Sequence, residues 1–202
     1  IHLYLDAELS KKAYDLLKHV VDDKKSTGGA GVDQDPSTGG AIALVNYPSF
    51  DPDKISQGIP QKDLNALSND KGLPFFNRAI SGVYPPGSVF KMIIASAVLE
   101  EGIVTEHTTI DDKGFIQVGS YIFRNWKSGG QGIVDLREAL QQSNDTYFYT
   151  VGGGYGGIKG LGITKLADWA RRFGYGTPAK IDINGEAKGY FPDGTAKTWY
   201  LG

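Results

Sequence analysis

Near the start of the chain apolar residues recur at helical spacing, at Leu9, Ala13, Leu16, Leu17, Val20 and Val21, with Asp6 placed to cap them. This predicts a short strand running into an amphipathic helix. Residues 24–29 are polar and end the pattern. Two short strands are expected next, at 30–34 and 41–47, around the turn Asp35-Pro36-Ser37-Thr38-Gly39-Gly40. Residues 48–82 read as a long irregular surface stretch, broken by Pro48, Pro52, Pro60 and Pro74.

From Ser88 to Leu99 the chain is apolar almost all round, which predicts a buried helix with Gly102 just past its end. A small β-rich insert is expected at 115–123. Asp135 caps a helix through Leu136, Ala139 and Leu140. Thr164 caps another, with Leu166, Ala167, Trp169, Ala170 and Phe173 inward and Gly174 at its end. Strands followed by helices, without βαβ alternation, make the fold α+β.

Composition narrows the function classes. With 202 residues, 40% apolar and 22% charged, one domain with a sizeable core is expected. A net charge of −2 gives no polyanion-binding signal, so no nucleic-acid partner is expected. Zero Cys excludes a disulfide scaffold, a thiolate metal site and a Cys nucleophile. His2, His19 and His107 have no ligand spacing, so neither a metal nor a cofactor is expected. The chain shows no apolar run long enough to cross a membrane, and its first residues do not read as a leader.

The candidate chemistry is Ser-x-x-Lys. A Lys one helical turn beyond a Ser shares its face and can take the hydroxyl proton as the Ser attacks a carbonyl. Amides at the helix start can hold the resulting oxyanion. Twelve Ser and 16 Lys give about one match by chance, and two occur. Ser68-Asn69-Asp70-Lys71 sits in a polar turn. Ser88-Val89-Phe90-Lys91 follows the stiff turn Tyr84-Pro85-Pro86-Gly87 and opens the apolar helix, where a Lys in the first turn opposes the macrodipole. The bland alternative is a capping Ser and a snorkelling Lys. The second element is Ser143-Asn144-Asp145 between two helical segments. Ser143 could relay a proton and Asp145 could bind Lys91 and substrate, although the same triplet at Ser68-Asn69-Asp70 reads as an ordinary turn. Gly152-Gly153-Gly154-Tyr155-Gly156-Gly157 fits a nucleotide fingerprint, but Ile158-Lys159-Gly160-Leu161-Gly162 is a poor helix start, so it reads as a loop.

Taken together, Tyr84-Pro85-Pro86-Gly87-Ser88-Val89-Phe90-Lys91-Met92 resembles the active-site segment of class B penicillin-binding proteins. Asp35-Pro36-Ser37-Thr38-Gly39 with Ala41-Ile42-Ala43-Leu44-Val45, Pro48-Ser49-Phe50-Asp51-Pro52, Phe123-Arg124-Asn125-Trp126-Lys127 and Ser143-Asn144-Asp145-Thr146-Tyr147-Phe148-Tyr149 are similar to its elongation-type branch, the penicillin-binding protein 2 group. The resemblance implies a penicillin-binding-protein/serine β-lactamase-like fold, an antiparallel sheet with helices packed on it. It implies a peptidoglycan D,D-transpeptidase of cell-wall synthesis, acylated by β-lactams. Ser88 would be the nucleophile, Lys91 the base, Ser143 the proton donor to the leaving D-Ala, and Asp145 the holder of Lys91 and the substrate amide. The Ser88 backbone amide would be half of the oxyanion hole. Implied partners are the D-Ala-D-Ala stem peptide, β-lactams and other elongation proteins. The implied place is the bacterial cell envelope, periplasmic, on an inner-membrane anchor. A penicillin-sensing or scaffolding module that acylates without turnover, and a serine β-lactamase, are the alternatives.

The third motif of the family, Lys-Thr/Ser-Gly, is not met. Lys197-Thr198-Trp199 fails it, and Lys127-Ser128-Gly129 precedes the second motif and reads as a loop. Residues 1–202 are therefore expected to be a partial transpeptidase domain lacking C-terminal strands, anchor and pedestal, and a weak catalyst alone. Some members of the branch resemble each other in a zinc site of Asp, His and Cys. Here Asn125 and Gln131 stand where an acid and a His would be expected.

Overall fold

Asp6 begins the fold by accepting from the Leu9 amide at 2.9 Å, while its own amide donates to Ile42 O at 2.8 Å. This ties helix α1 (Ala7–Asp23) to the sheet. The structure, a computed structural model, describes residues 3–192. It divides into two units, one of residues up to 83 with 181–187, the other of the remainder.

In the first unit β1 (Gly29–Gln34) and β2 (Ala41–Tyr47) form the expected antiparallel hairpin, with a register shift at Asp33/Gln34. Its turn closes on Asp35, whose carboxylate accepts from the Ser37 amide and hydroxyl and from the Thr38 hydroxyl. Helix α1 lies directly on β1. A Cβ at Gly29 would stand 2.8 Å from Leu17 Cδ1, which shows how closely the helix approaches the strand.

The expected irregular stretch is instead built of short helices: α2 (Pro52–Gln57), α3 (Gln61–Ser68) and α4 (Arg78–Ser81). Two prolines read as breakers open these helices. Pro52 follows the N-cap Asp51, and Pro60 is itself the cap residue of α3. The Ser68 copy of the motif lies at the end of α3. Buried Arg78 holds the segment together by donating to the carbonyls of Gly72, Leu73 and Phe76.

The second unit starts with a 3-10 turn, Gly87–Phe90, continued by α5 (Lys91–Glu100). Ser88 thus sits in the 3-10 turn rather than capping an α-helix. The helix is also less enclosed than its sequence suggests, because Val89, Met92 and Leu99 are exposed while Ile93, Ala95, Ala97 and Val98 are buried. The insert folds as β3 (Ile110–Asp112) paired with β6 (Gly132–Val134), and β4 (Phe115–Val118) paired with β5 (Tyr121–Arg124), all antiparallel.

Helix α6 (Leu136–Gln141) begins with a capping box, Asp135 and Glu138 each bonding the other's amide. Helix α7 (Asp145–Gly153) is capped by Asn144, which accepts from the Tyr147 amide at 2.6 Å. Helix α8 (Gly162–Arg172) starts two residues before the expected cap Thr164, with Leu161 at its N-cap and no side-chain cap. Glu101, just past the end of α5, ties α8 to that helix by accepting from Lys165 and from Trp169 Nε1. Ala167 and Ala170 face inward as expected, but Phe173 is exposed. The glycine-rich loop between α7 and α8 closes on itself, since a Cβ at Gly160 would lie 2.3 Å from Gly154 N. The glycines serve chain crossing there, not phosphate approach.

The core of this unit joins α5, α6, α7 and β6 through Ala97, Val98, Val134, Ala139, Tyr147, Phe148 and Val151. Tyr147 is fully buried and donates its hydroxyl to Thr108 O at 3.0 Å. Burial, with Asp135 nearby, pushes its phenol up to about 12. No helix among the described residues is long and apolar enough to cross a membrane. Lys197-Thr198-Trp199, the tail beyond it, and Ile1 and His2 lie outside the described residues.

Candidate active site

The turn Tyr84-Pro85-Pro86-Gly87 delivers Ser88 to the surface, and Gly87 takes the left-handed conformation (φ +59°) that the turn needs. Ser88 is exposed, whereas Lys91, one turn on, is only 8% exposed. Burial of an ammonium is tolerated only with partners, and Lys91 has a full set. Its Nζ donates to Ser143 O (2.7 Å), Ser143 Oγ (3.1 Å) and Asp145 Oδ1 (2.5 Å), and it stands 5.7 Å from the Phe148 ring centroid. Three acceptors use all three protons of the ammonium.

Ser143 is the hinge of the arrangement. It occupies the turn between α6 and α7 in the left-handed region (φ +53°), uncommon for a residue with a side chain. That backbone turn points both its carbonyl and its hydroxyl at Lys91. The hydroxyl also donates to Ser88 Oγ at 2.9 Å. The four sequence-predicted residues therefore meet, with a connectivity the sequence did not specify. The hydroxyl of Ser143 stands between Ser88 and Lys91.

Asp145 opens α7, where the helix N-terminus favours a carboxylate. Its Oδ2 accepts from the Trp126 amide at 3.2 Å and its amide donates to Asn125 Oδ1 at 3.1 Å. Behind it lies a cluster in which Asn125, Gln131 and Asn144 carried a sequence signal and Asp112 carried none. Asp112, Asn125 and Asn144 are 1%, 7% and 0% exposed, and Asn125 and Asn144 each donate to Asp112 and to Gln131 Oε1. Asp112 is desolvated, which raises its pKa. The Gly114 amide, the Thr146 hydroxyl, Asn144 and the Gln131 amide outweigh this and hold it below the usual carboxylate range.

These residues do not fit a zinc ion. The Asn125 and Asn144 amide hydrogens point inward, at Asp112 and at Gln131 Oε1, so the cluster presents N–H groups where a cation needs lone pairs. Among the described residues no group of three or more His, Asp or Glu could hold a metal. Lys127-Ser128-Gly129 lies in a loop, as expected, with Gly129 and Gly130 both near φ +81°.

The family profile described as "Penicillin binding protein transpeptidase domain" matches residues 29–200. The chain belongs to this family. Among relatives of this transpeptidase domain, the peptidoglycan D,D-transpeptidase MrdA of Escherichia coli K12 is 37% identical over all of the chain. The chain spans 31% of that protein's length. Solved relatives include Pseudomonas aeruginosa PBP2 in complex with WCK 5153, 36% identical, TM-score 0.80, covering 95% of this chain and 41% of that one. The complex of Helicobacter pylori PBP2 with MreC matches at 33% identity and TM-score 0.80, covering 94% and 33%. The imipenem acyl-enzyme of Mycobacterium tuberculosis penicillin-binding protein A matches at 29% and 0.73, covering 87% and 40%. The α+β fold expected from sequence, with helices packed on antiparallel strands, is that of these transpeptidase domains.

Proposed function

We propose that this chain forms part of a peptidoglycan D,D-transpeptidase of the cell envelope, acylated on Ser88 by the D-Ala-D-Ala stem and by β-lactams. The observation that carries the reading is the hydrogen-bonded series Ser88 Oγ, Ser143 Oγ, Lys91 Nζ inside a chain of this family. The acyl-enzyme of the mycobacterial relative supports it.

Acylation starts from Lys91 as the free amine, its proton released to solvent. Ser88 Oγ attacks the penultimate D-Ala carbonyl, its proton passes to Ser143 Oγ, and the Ser143 proton passes to Lys91 Nζ. Collapse of the tetrahedral intermediate breaks the C–N bond, and the same series returns the proton to the departing D-Ala amine. An acceptor amine then attacks the ester, the bond to Ser88 Oγ breaks, and the amine's proton passes through the same series to Ser88 Oγ. Asp145 holds the ammonium formed on Lys91, and the Ser88 amide gives one oxyanion donor. The MreC complex of the Helicobacter relative supports a place among elongation proteins.

The test uses the full-length gene product with a D-Ala-D-Ala peptide and a peptide amine acceptor. Free D-Ala and a cross-linked product, both abolished by penicillin, are expected. Release of D-Ala that is indifferent to penicillin would overturn the reading.

A further inference from the structure

Asp112 is 1% exposed and shares no bond with Ser88, Lys91, Ser143 or Asp145, yet four groups converge on it. Its Oδ1 accepts from the Gly114 amide at 2.7 Å. Its Oδ2 accepts from Asn125 Nδ2 (2.6 Å), Asn144 Nδ2 (2.8 Å) and the Gln131 amide (2.9 Å). An ionised carboxylate only accepts, so each neighbour must turn an N–H toward it.

That requirement sets the sense of two side-chain amides, Asn125 and Asn144, from the Asp112 side. With Nδ2 of Asn125 held inward, its Oδ1 faces outward to accept the amides of Asp145 (3.1 Å) and Trp126 (2.9 Å). With Nδ2 of Asn144 held inward, its Oδ1 caps α7 at Tyr147. Both second amide hydrogens are absorbed by Gln131 Oε1, at 3.0 and 2.6 Å, which orients Gln131 Nε2 to Gln142 O at 3.2 Å. Trp126 Nε1 reaches the same carbonyl at 3.1 Å. The network thus pins residues 142, 144 and 145, the three neighbours of Ser143 in the turn. A buried network of this kind admits one arrangement, because reversing any one amide sets donor against donor.

We propose that Asp112 is a positioning residue for acylation. Through Asn125 and Asn144 it places the Asp145 backbone and the Ser143 turn, and so aligns Lys91 and Ser143 with Ser88. The proposal rests on acylation at Ser88 as proposed above. Asp112→Asn is nearly isosteric but must point an NH2 group at either the Gly114 amide or the three donors around Oδ2. The site would then hold the same residues slightly out of line, and small misplacements of reacting groups cost up to about a hundredfold in rate.

The experiment measures penicillin acylation of the full-length gene product by stopped flow, separating the limiting acylation rate from the dissociation constant of the preceding complex. Melting of each variant is followed alongside. Asp112→Asn and Asn125→Ala should each lower the limiting rate about ten- to hundredfold, with the dissociation constant within about threefold of wild type. Lys113→Ala, an exposed neighbour of Asp112, should leave both unchanged. A limiting rate within twofold of wild type in a folded Asp112→Asn overturns the proposal. Should Asp112→Asn not fold, Asn125→Ala decides by the same criterion. Failure of both to fold, or a loss confined to the dissociation constant, also overturns it, since Asp112 would then be structural only. A wild type not acylated on Ser88 sinks the proposed function and this inference together. Acylation of the wild type with unchanged variants sinks this inference alone.

Discussion

Ser143 meets Lys91 twice, its carbonyl oxygen 2.7 Å and its hydroxyl 3.1 Å from the same ammonium. Ser143 presents both atoms from a backbone in the left-handed region, at φ +53°. The carbonyl anchors the ammonium and leaves the hydroxyl free to turn between Ser88 and Lys91. Removing the hydroxyl should keep Lys91 in place and break the proton path. Ser143→Ala is therefore expected to retain the fold and lose at least about a hundredfold in penicillin acylation rate. Stopped-flow acylation with circular dichroism checks both halves. A loss under fivefold would mean that Ser88 passes its proton to Lys91 directly.

Lys91→Arg separates a base from a charge. Guanidinium keeps its proton at any working pH, and its fork is too broad for the three acceptors around Lys91 Nζ. Acylation should fall to background across pH 6–10, measured on the folded variant. Acylation within about tenfold of wild type would reduce Lys91 to an electrostatic role.

Much of the scaffold was legible because caps and turns are local. Asp6, Asp135 and the Asp35 turn act within a few residues of themselves, so their chemistry shows in the sequence string. Ser88 and Lys91 were legible for the same reason, being one turn apart. The prolines at 52 and 60 misled because the same residue that breaks a helix inside opens it at the first turn. The 3-10 turn at Ser88 gave no signal, as its residues suit an α-helix equally well. Asp112, and its meeting with Asn125, Gln131 and Asn144, was hidden for another reason. The four come from strand ends and loops rich in glycine, where a polar residue ordinarily faces water.

Gly130 shows how tightly that cluster is enclosed. It has φ +81°, and a Cβ there would lie 2.1 Å from Asp112 O and 2.5 Å from Gly114 N. Gly130→Ala combines a left-handed backbone, about 1–2 kcal/mol for an L-residue, with a backbone collision that must shift β3. Urea melts should show a loss at or above that range, together with slower acylation. A neutral Gly130→Ala would indicate that the 127–131 loop is free to move away from Asp112.

Acid sensitivity follows from the Asp112 carboxylate. Its folded-state pKa lies below the usual carboxylate range, so the folded protein binds its proton less readily than the unfolded chain. Stability from this group is present above the unfolded value and is lost as pH falls through the folded one. Denaturant unfolding from pH 6 down to pH 2 should show a steeper fall below about pH 4 for wild type than for Asp112→Asn. Parallel curves would place the buried charge elsewhere.

The most direct test of the account is to find where penicillin goes. The full-length gene product is treated with penicillin, digested, and mapped by mass spectrometry, with Ser88→Ala run alongside. The penicilloyl group is predicted on Ser88 alone, and no adduct is predicted in Ser88→Ala. An adduct that persists in Ser88→Ala, or that maps to Ser143 or to the Ser68 copy of the motif, would contradict it.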